Sequence, residues 1–175
     1  MAASEYELDG KVYVWTGSRW YDKSDFTTPP SAVIARLNKL IATDLETDDA
    51  SITDPNELVK RAQLAREHGQ LPRAIRLLKR AATARPNHIG TAAVLCSALR
   101  QDGRPAEALE ATQHFAGSEY QPLLTSRAAA LCDLGRWEDA NRQIRRVIAI
   151  SNGRAQEEAL NVRKRIQQNA PELFD

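Results

Sequence analysis

The chain has 175 residues, a length that suits one domain, or one domain with a small appendage, with a core that needs neither metal nor disulfide. Its 42% apolar and 27% charged residues are ordinary for a soluble protein, and no apolar run approaches the roughly 18 residues of a membrane-spanning helix. The net charge is only +1, but residues 1–54 hold five Lys/Arg against ten Asp/Glu, whereas residues 55–175 hold nineteen against thirteen.

The first 30 residues form an aromatic-rich segment in which six of the ten aromatic residues of the chain occur before position 27. Their polar, acidic start lacks the apolar stretch of a secretory signal, so we expect a cytoplasmic protein that does not engage membranes. Asp9-Gly10 predicts a two-residue hairpin turn, and Lys11–Trp15 alternates as a strand does. Residues 1–30 are therefore predicted to form a small three-stranded antiparallel β-meander.

The aromatic side chains of this segment have two interpretations. Short strands are not stable alone, and large aromatic side chains supply the apolar contact that a small module needs in order to fold. Alternatively, Trp15, Trp20 and Tyr21 form an exposed aromatic surface for a ligand such as an extended peptide, a sugar or bases. The sequence favours the core interpretation and leaves the second open.

Residues 31–54 are predicted to form a helix followed by an acidic connector. Pro29-Pro30 interrupts the chain, and an apolar stripe marks a helix over residues 31–42. Residues 43–54 are acidic and short of apolar side chains, which favours a linker. We expect the helix to pack on the repeats that follow and the meander to pack on the helix.

Residues 55–153 contain the same pattern three times. Gly69, Gly103 and Gly135 recur at steps of 34 and 32 residues, and each is followed five residues later by an alanine. Apolar residues with helical spacing precede and follow each glycine. A period near 34 residues predicts pairs of antiparallel helices stacked on one another, with glycine ending the first helix in the left-handed conformation.

In the second helix of each repeat the recurring alanine is the first of three apolar positions, and Pro72 and Pro105 suit the start of the first two of these helices. The predicted apolar positions are Ala74, Leu78 and Ala81, then Ala108, Thr112 and Phe115, then Ala140, Ile144 and Val147. A small side chain after the turn lets the two helices approach closely. Pro86 closes the first repeat, and Asn152-Gly153 is predicted to close the third.

Residues 154–175 are predicted to hold a capping helix and a tail. Ala155, Ala159, Val162 and Ile166 form one apolar face, and the opposite face is charged. Such a helix covers the last apolar surface of a stack of repeats.

The three glycine-centred units resemble the tetratricopeptide repeat (TPR) family. The first repeat matches the family pattern with Gly69, Ala74 and Pro86, and the third matches it with Gly135, Trp137 and Ala140. The second departs from it, because Phe115 replaces an alanine and the closing proline is missing. The resemblance implies a mainly α fold: a TPR-like α-solenoid of antiparallel helix pairs with a C-terminal capping helix and the N-terminal β-meander.

Reaction chemistry leaves no signature in the sequence. There is no phosphate-binding glycine loop, no C-x-x-C and no H-E-x-x-H, and the three histidines are scattered. Cys96 and Cys132 fall in repeat helices as small packing residues. We therefore expect a protein that is not an enzyme and uses no cofactor or metal.

The TPR resemblance implies that the first helices line a concave, partner-binding face. The predicted lining residues are Val59, Gln63, Arg66, Ala93, Ser97, Arg100, Thr125, Ala129 and Asp133. Arg66 and Arg100, one repeat apart, are the candidate polar anchors. Some family members grip C-terminal carboxylates with Lys, Asn and Arg, but the corresponding positions here are Val59, Gln63, Val94, Pro122 and Ser126.

Three functions stay open on these grounds. The favoured one is a non-enzymatic adaptor whose concave face binds a protein or peptide, such as a helical or an acidic segment. A nucleic-acid-binding accessory protein would instead use the arginine-rich repeats and the aromatic hairpin. A self-association module is the third.

Overall fold

The computed structural model describes residues 4–16, 18–151 and 156–174, and no side chains of residues 42–47. The chain divides into two compact units, residues 1–52 and 53–175. The strands are β1 (Ser4–Leu8), β2 (Lys11–Trp15) and β3 (Trp20–Asp22), and the α-helices are α1 (Ser31–Ser51), α2 (Pro55–Glu67), α3 (Leu71–Ala84), α4 (Ile89–Gln101), α5 (Pro105–Ala111), α6 (Gln121–Asp133), α7 (Trp137–Ile150) and α8 (Glu157–Asn169). Short 3-10 helices span Gln113–Phe115 and Pro171–Leu173.

The first unit is the predicted meander together with α1. The three strands lie in the order β1-β2-β3, and both neighbouring pairs are antiparallel. Asp9 and Gly10 both have positive φ, 54° and 74°, as a two-residue turn between twisted strands requires. Gly17, between β2 and β3, lies outside the described residues.

The meander buries one face against α1, as expected. Tyr13 and Trp20 form a core with Leu37 and Ile41 of the helix. The indole Nε1 of Trp20 donates a hydrogen bond of 2.8 Å to Asn38 Oδ1. Apolar contact and this polar bond therefore hold sheet and helix together, while the predicted packing of α1 on the first repeat stays a prediction.

The acidic connector is shorter than the sequence predicted. Residues 43–51 continue α1, and Ile52 ends it by donating its backbone N–H to the carbonyl of Asp49, 3.2 Å away. Acidic residues and threonines are only modestly poorer helix formers than alanine, and no proline or glycine interrupts the chain before Pro55. The prediction of a linker from residue 43 was wrong for this reason.

The second unit consists of the three helix pairs α2/α3, α4/α5 and α6/α7, with the same turn in each. Gly69, Gly103 and Gly135 have φ values of 72°, 75° and 69°. The residue after each glycine donates its N–H to a carbonyl five residues back, for example Gln70 to Ala65 at 2.8 Å. This hydrogen bond satisfies one of the last carbonyls of the first helix, and the left-handed glycine turns the chain toward the second helix.

The recurring alanines lie at the fourth position of each second helix. Ala74, Ala108 and Ala140 are fully buried. Each donates its backbone N–H to the residue four positions earlier, which is the one immediately after the turn glycine. The small side chain thus keeps the second helix against the first from its first turn onward.

The second helix of the second repeat is shorter than predicted. Helix α5 has seven residues, whereas α3 and α7 have fourteen each, so Phe115 belongs to a separate 3-10 turn. The buried Thr112 donates its hydroxyl to the Ala108 carbonyl at 2.8 Å. Such bonds from threonine weaken and bend a helix.

The C-terminal helix α8 packs on the third repeat. Ala159, Val162 and Ile166 join the core formed by α6 and α7, and the tail adds Leu173 and Phe174. Asn152-Gly153 and Ala155, which were predicted to end the third repeat and begin the cap, lie outside the described residues.

The turn glycines provide a test of the repeat geometry. Replacing Gly103 by alanine places a Cβ in open space but forces it to keep φ near +75°, which costs about 1–2 kcal/mol. Chemical denaturation should show this loss in the free energy of unfolding. Gly117→Ala is the control, since it also faces open space and lacks a positive φ, so an equal loss in both variants would contradict the argument.

Candidate functional site

A row of polar side chains runs across the first helices of the repeats and is called the first-helix face below. Its first member, Arg66 of α2, reaches the next repeat. Its Nη2 donates to Gln101 Oε1 at 3.1 Å and to Ser97 Oγ at 3.4 Å, both on α4. Two of the predicted lining residues, Arg66 and Ser97, are therefore brought together, and sequence reasoning missed Gln101.

The row continues from α4 to α6 and α8. Arg100 Nη1 lies 3.4 Å from Asp133 Oδ2, and Arg165 Nη1 of the capping helix lies 2.5 Å from Asp133 Oδ1. Asp133 thus joins two arginines from different elements. Its side chain is 22% exposed, so this network is worth more than a fully solvated pair but remains screened by water.

The two candidate anchors differ in their partners. Arg100 has the carboxylate of Asp133, whereas Arg66 donates to the neutral oxygens of Ser97 and Gln101. The Nε atoms of both arginines are buried and have no hydrogen-bond partner in the described part of the chain. Arg66 also borders an open cleft of about 570 Å³ together with Gln63, Glu67 and Gln101. A shift of either side chain would expose its Nε to a further acceptor.

The other predicted lining residues contribute unequally to this face. Val59 is half-buried and Gln63 is exposed. Ala93, Thr125 and Ala129 are only 6%, 2% and 4% exposed. These three side chains are therefore too buried to contact a partner. Asp133 is the accessible one among the predicted lining residues of the third repeat.

Solved TPR domains have a similar arrangement of helices. The first TPR domain of human RPAP3 matches with a TM-score of 0.61 and 20% identity, over 67% of this chain and 93% of that domain. The Sgt2 TPR domain from Aspergillus fumigatus matches with a TM-score of 0.61 and 13% identity, over 70% and 81%. The first TPR of Spaghetti (RPAP3), bound to the HSP90 peptide SRMEEVD, matches with 0.59 and 22%, over 65% and 90%.

The chain has the TPR fold. No protein-family model matches it, and no curated protein matches its sequence. The TPR resemblance drawn from Gly69, Gly103 and Gly135 is confirmed at the level of the fold, including the weaker second repeat. Similarity at 13–22% identity establishes how the helix pairs are arranged, and it does not identify a ligand of the first-helix face.

The aromatic residues of the N-terminal unit divide between core and surface. Trp20 is 3% exposed and contacts Tyr6 edge to face and Trp15 at a tilt, with ring centroids 5.4 and 5.2 Å away. Its inclusion in a possible aromatic surface was therefore wrong, because register places it on the face that packs on α1. Trp15 and Tyr21 are half-buried, on opposite faces of the sheet.

The three histidines lie in the second unit, which is called the TPR unit below, and each contacts backbone or side-chain groups of that unit. His88 accepts the N–H of Thr91 at 3.1 Å and so begins α4, His68 lies 2.7 Å from the Leu64 carbonyl, and His114 lies 3.1 Å from that of Pro86. Among the described residues, no group of histidine, cysteine and acidic side chains is placed to hold a metal ion. None of the helices in that part of the chain has the length and apolar character to cross a membrane.

Both cysteines are free thiols in the TPR core. Burial raises the pKa of Cys96 to about 11 and that of Cys132 to about 11. Since the thiolate is the reactive form, neither side chain is activated as a nucleophile at neutral pH.

The buried thiols predict a loss of stability in alkaline solution. In the unfolded chain the thiols deprotonate near their ordinary pKa of 9.0, whereas in the folded chain they hold their protons to about pH 11. Between these values the unfolded state binds fewer protons, so the free energy of unfolding falls as pH rises. Urea denaturation from pH 8 to 11 measures this slope. The Cys96→Ala/Cys132→Ala variant should show a shallower fall of the unfolding free energy with pH. An unchanged slope would show that the two thiols do not cause the fall.

Proposed function

We propose that the protein is a non-enzymatic adaptor whose first-helix face binds an acidic segment of a partner protein. The observation that carries this proposal is the pair of buried, unpartnered guanidinium Nε atoms on Arg66 and Arg100. A buried donor without an acceptor costs about 1–3 kcal/mol, which a carboxylate or backbone carbonyl of a partner would recover. The TPR arrangement supports it, because the repeats present these side chains side by side.

The recognition chemistry would differ from C-terminal carboxylate clamping. One structural neighbour is bound to the HSP90 peptide SRMEEVD, and the second TPR domain of human RPAP3 is in complex with the HSP70 peptide SGPTIEEVD. The positions that carry the clamp in such family members hold Val59, Val94 and Ser126 here, and Ser126 is only 6% exposed. We therefore expect an internal acidic segment, recognised by arginines on α2 and α4, as the partner.

Charge reversal at the two arginines tests the proposal. Arg66→Glu/Arg100→Glu should weaken the binding of a specific acidic partner about tenfold or more, because it replaces both donors by carboxylates that repel the partner. Affinity capture followed by mass spectrometry, with native and variant proteins as bait, identifies partners that depend on the face. Titration calorimetry with each captured partner then measures the dissociation constant.

The control changes the same charge elsewhere. Arg76 and Arg80 are exposed on α3, a second helix, so Arg76→Glu/Arg80→Glu reverses two charges away from the first-helix face. Circular dichroism establishes that each variant is folded. If every partner bound both variants equally well, the first-helix face would not be the binding surface.

A further inference from the structure

A second polar cavity lies among the second helices of the TPR unit. It has a volume of about 250 Å³ and is bordered by α5, the 3-10 turn after it, α6 and α7. Its lining residues are Leu109, Gln113, Arg127, Leu131, Arg136, Asp139, Arg142 and Gln143. The cavity involves neither Arg66 nor Arg100, so it is separate from the first-helix face.

Arg127 is one of the charged residues that line this cavity, and it is only 6% exposed. Its Nη1 donates to Thr112 Oγ1 at 2.6 Å and to the Leu109 carbonyl at 3.1 Å. These bonds complete the C-terminal end of the shortened α5, where the helix dipole favours a cation. They use only one edge of the guanidinium.

The other edge of Arg127 is unused. Its Nε is buried and has no partner, and no hydrogen bond to the described residues leaves Nη2. The Nε and Nη2 protons point in parallel, which is the geometry that binds the two oxygens of one carboxylate. Burial lowers the pKa of this guanidinium, which reflects the cost of keeping a charge there without a counter-ion.

The carboxylate that lines the cavity, Asp139, forms no ion pair with Arg127 among the described residues. Asp139 pairs with Arg136, with Nη2 to Oδ2 at 2.5 Å, and its other oxygen lies 3.6 Å from Arg142 Nη1. The cavity lining therefore carries three guanidinium groups and one carboxylate. An anion is the complement that this charge distribution favours.

The first repeat shows what the third lacks. Arg61 occupies the register position of Arg127, eight residues before the turn glycine, and its Nε donates to Glu57 Oε1 at 3.2 Å. In the third repeat the position of Glu57 is taken by the buried Leu123. The same arginine is thus kept while its intrachain carboxylate is missing.

A hydrogen-bond acceptor completes the site. Gln143 also lines the cavity, and its Oε1 is buried with no hydrogen-bond partner among the described residues. A ligand that brings both a carboxylate and an N–H would satisfy the two orphaned groups together. An aspartate or glutamate of a peptide, with its own backbone amide, carries these two groups.

We propose that this cavity is a carboxylate-binding site for an acidic side chain of a bound peptide segment. Once the two side chains shift to expose these buried atoms, Arg127 receives the two carboxylate oxygens on its Nε/Nη2 edge, and Gln143 Oε1 accepts a peptide N–H. Phosphate is disfavoured because the Asp139 carboxylate and the Gln143 carbonyl oxygen would both face its additional negative charge. The site stands independently of the first-helix face.

Nuclear magnetic resonance of the arginine Nε–H groups tests the site directly. The Arg127 signal is the one that disappears in Arg127→Lys. Titration with N-acetylglutamate N-methylamide at low ionic strength should move this signal saturably, and the uncharged glutamine analogue should not. The lysine variant keeps a cation but loses the paired donors, so binding measured on backbone amides should weaken about tenfold or more. Arg61→Lys is the matched control and should bind as the native protein does.

Two further arms decide the ligand class and guard against misfolding. Inorganic phosphate at matched ionic strength should bind more weakly, and equal or tighter binding would overturn the carboxylate assignment. If Arg127→Lys does not fold, Gln143→Leu replaces it and should weaken the amide-bearing probe severalfold while leaving acetate unaffected. An Arg127 Nε–H signal that stays fixed at saturating probe overturns the site, whatever the first-helix face binds.

Discussion

The structure of the repeat unit depends on how closely two helices approach at each turn. A left-handed glycine ends the first helix without steric cost, and an alanine five residues later lets the second helix start in contact with the first. Both requirements are local, so the unit can be repeated with little other sequence in common. This explains how the TPR fold is reached at 13–22% identity to the solved domains compared above.

The arginines of the TPR unit act in three physical settings. Some are exposed and screened, Arg100 and Arg165 share the carboxylate of Asp133, and Arg127 is buried on neutral oxygens. Only the last two settings carry much energy, since solvated pairs contribute little. A count of basic residues therefore says less about binding than the hydrogen bonds that each guanidinium has left over.

Sequence periodicity was sufficient to predict the helix pairs, their turns and the hairpin, because each depends on residues that are close together in the sequence. The end of α5 was missed because it depends on the hydroxyl of Thr112 and on Arg127, which contacts it from the next repeat. Trp20 could not be separated from a surface residue without knowing which face of the sheet meets α1. The unsatisfied Nε atoms are likewise invisible in sequence, since they depend on partners that the fold fails to bring near. Arg127 did leave one signal, the loss of the acidic residue four positions before it.

The seven residues of α5 are too few to hold a helix in water without neighbours, since isolated helices shorter than about 12–15 residues are marginal. In a stack whose units stabilise only adjacent units, a weak member limits how far cooperativity extends. Amide protons of the second repeat are therefore placed to exchange with solvent by local opening, ahead of those in α3 and α7. Helix pairs α2/α3 and α6/α7 should accordingly keep their amide protons longer than the pair between them.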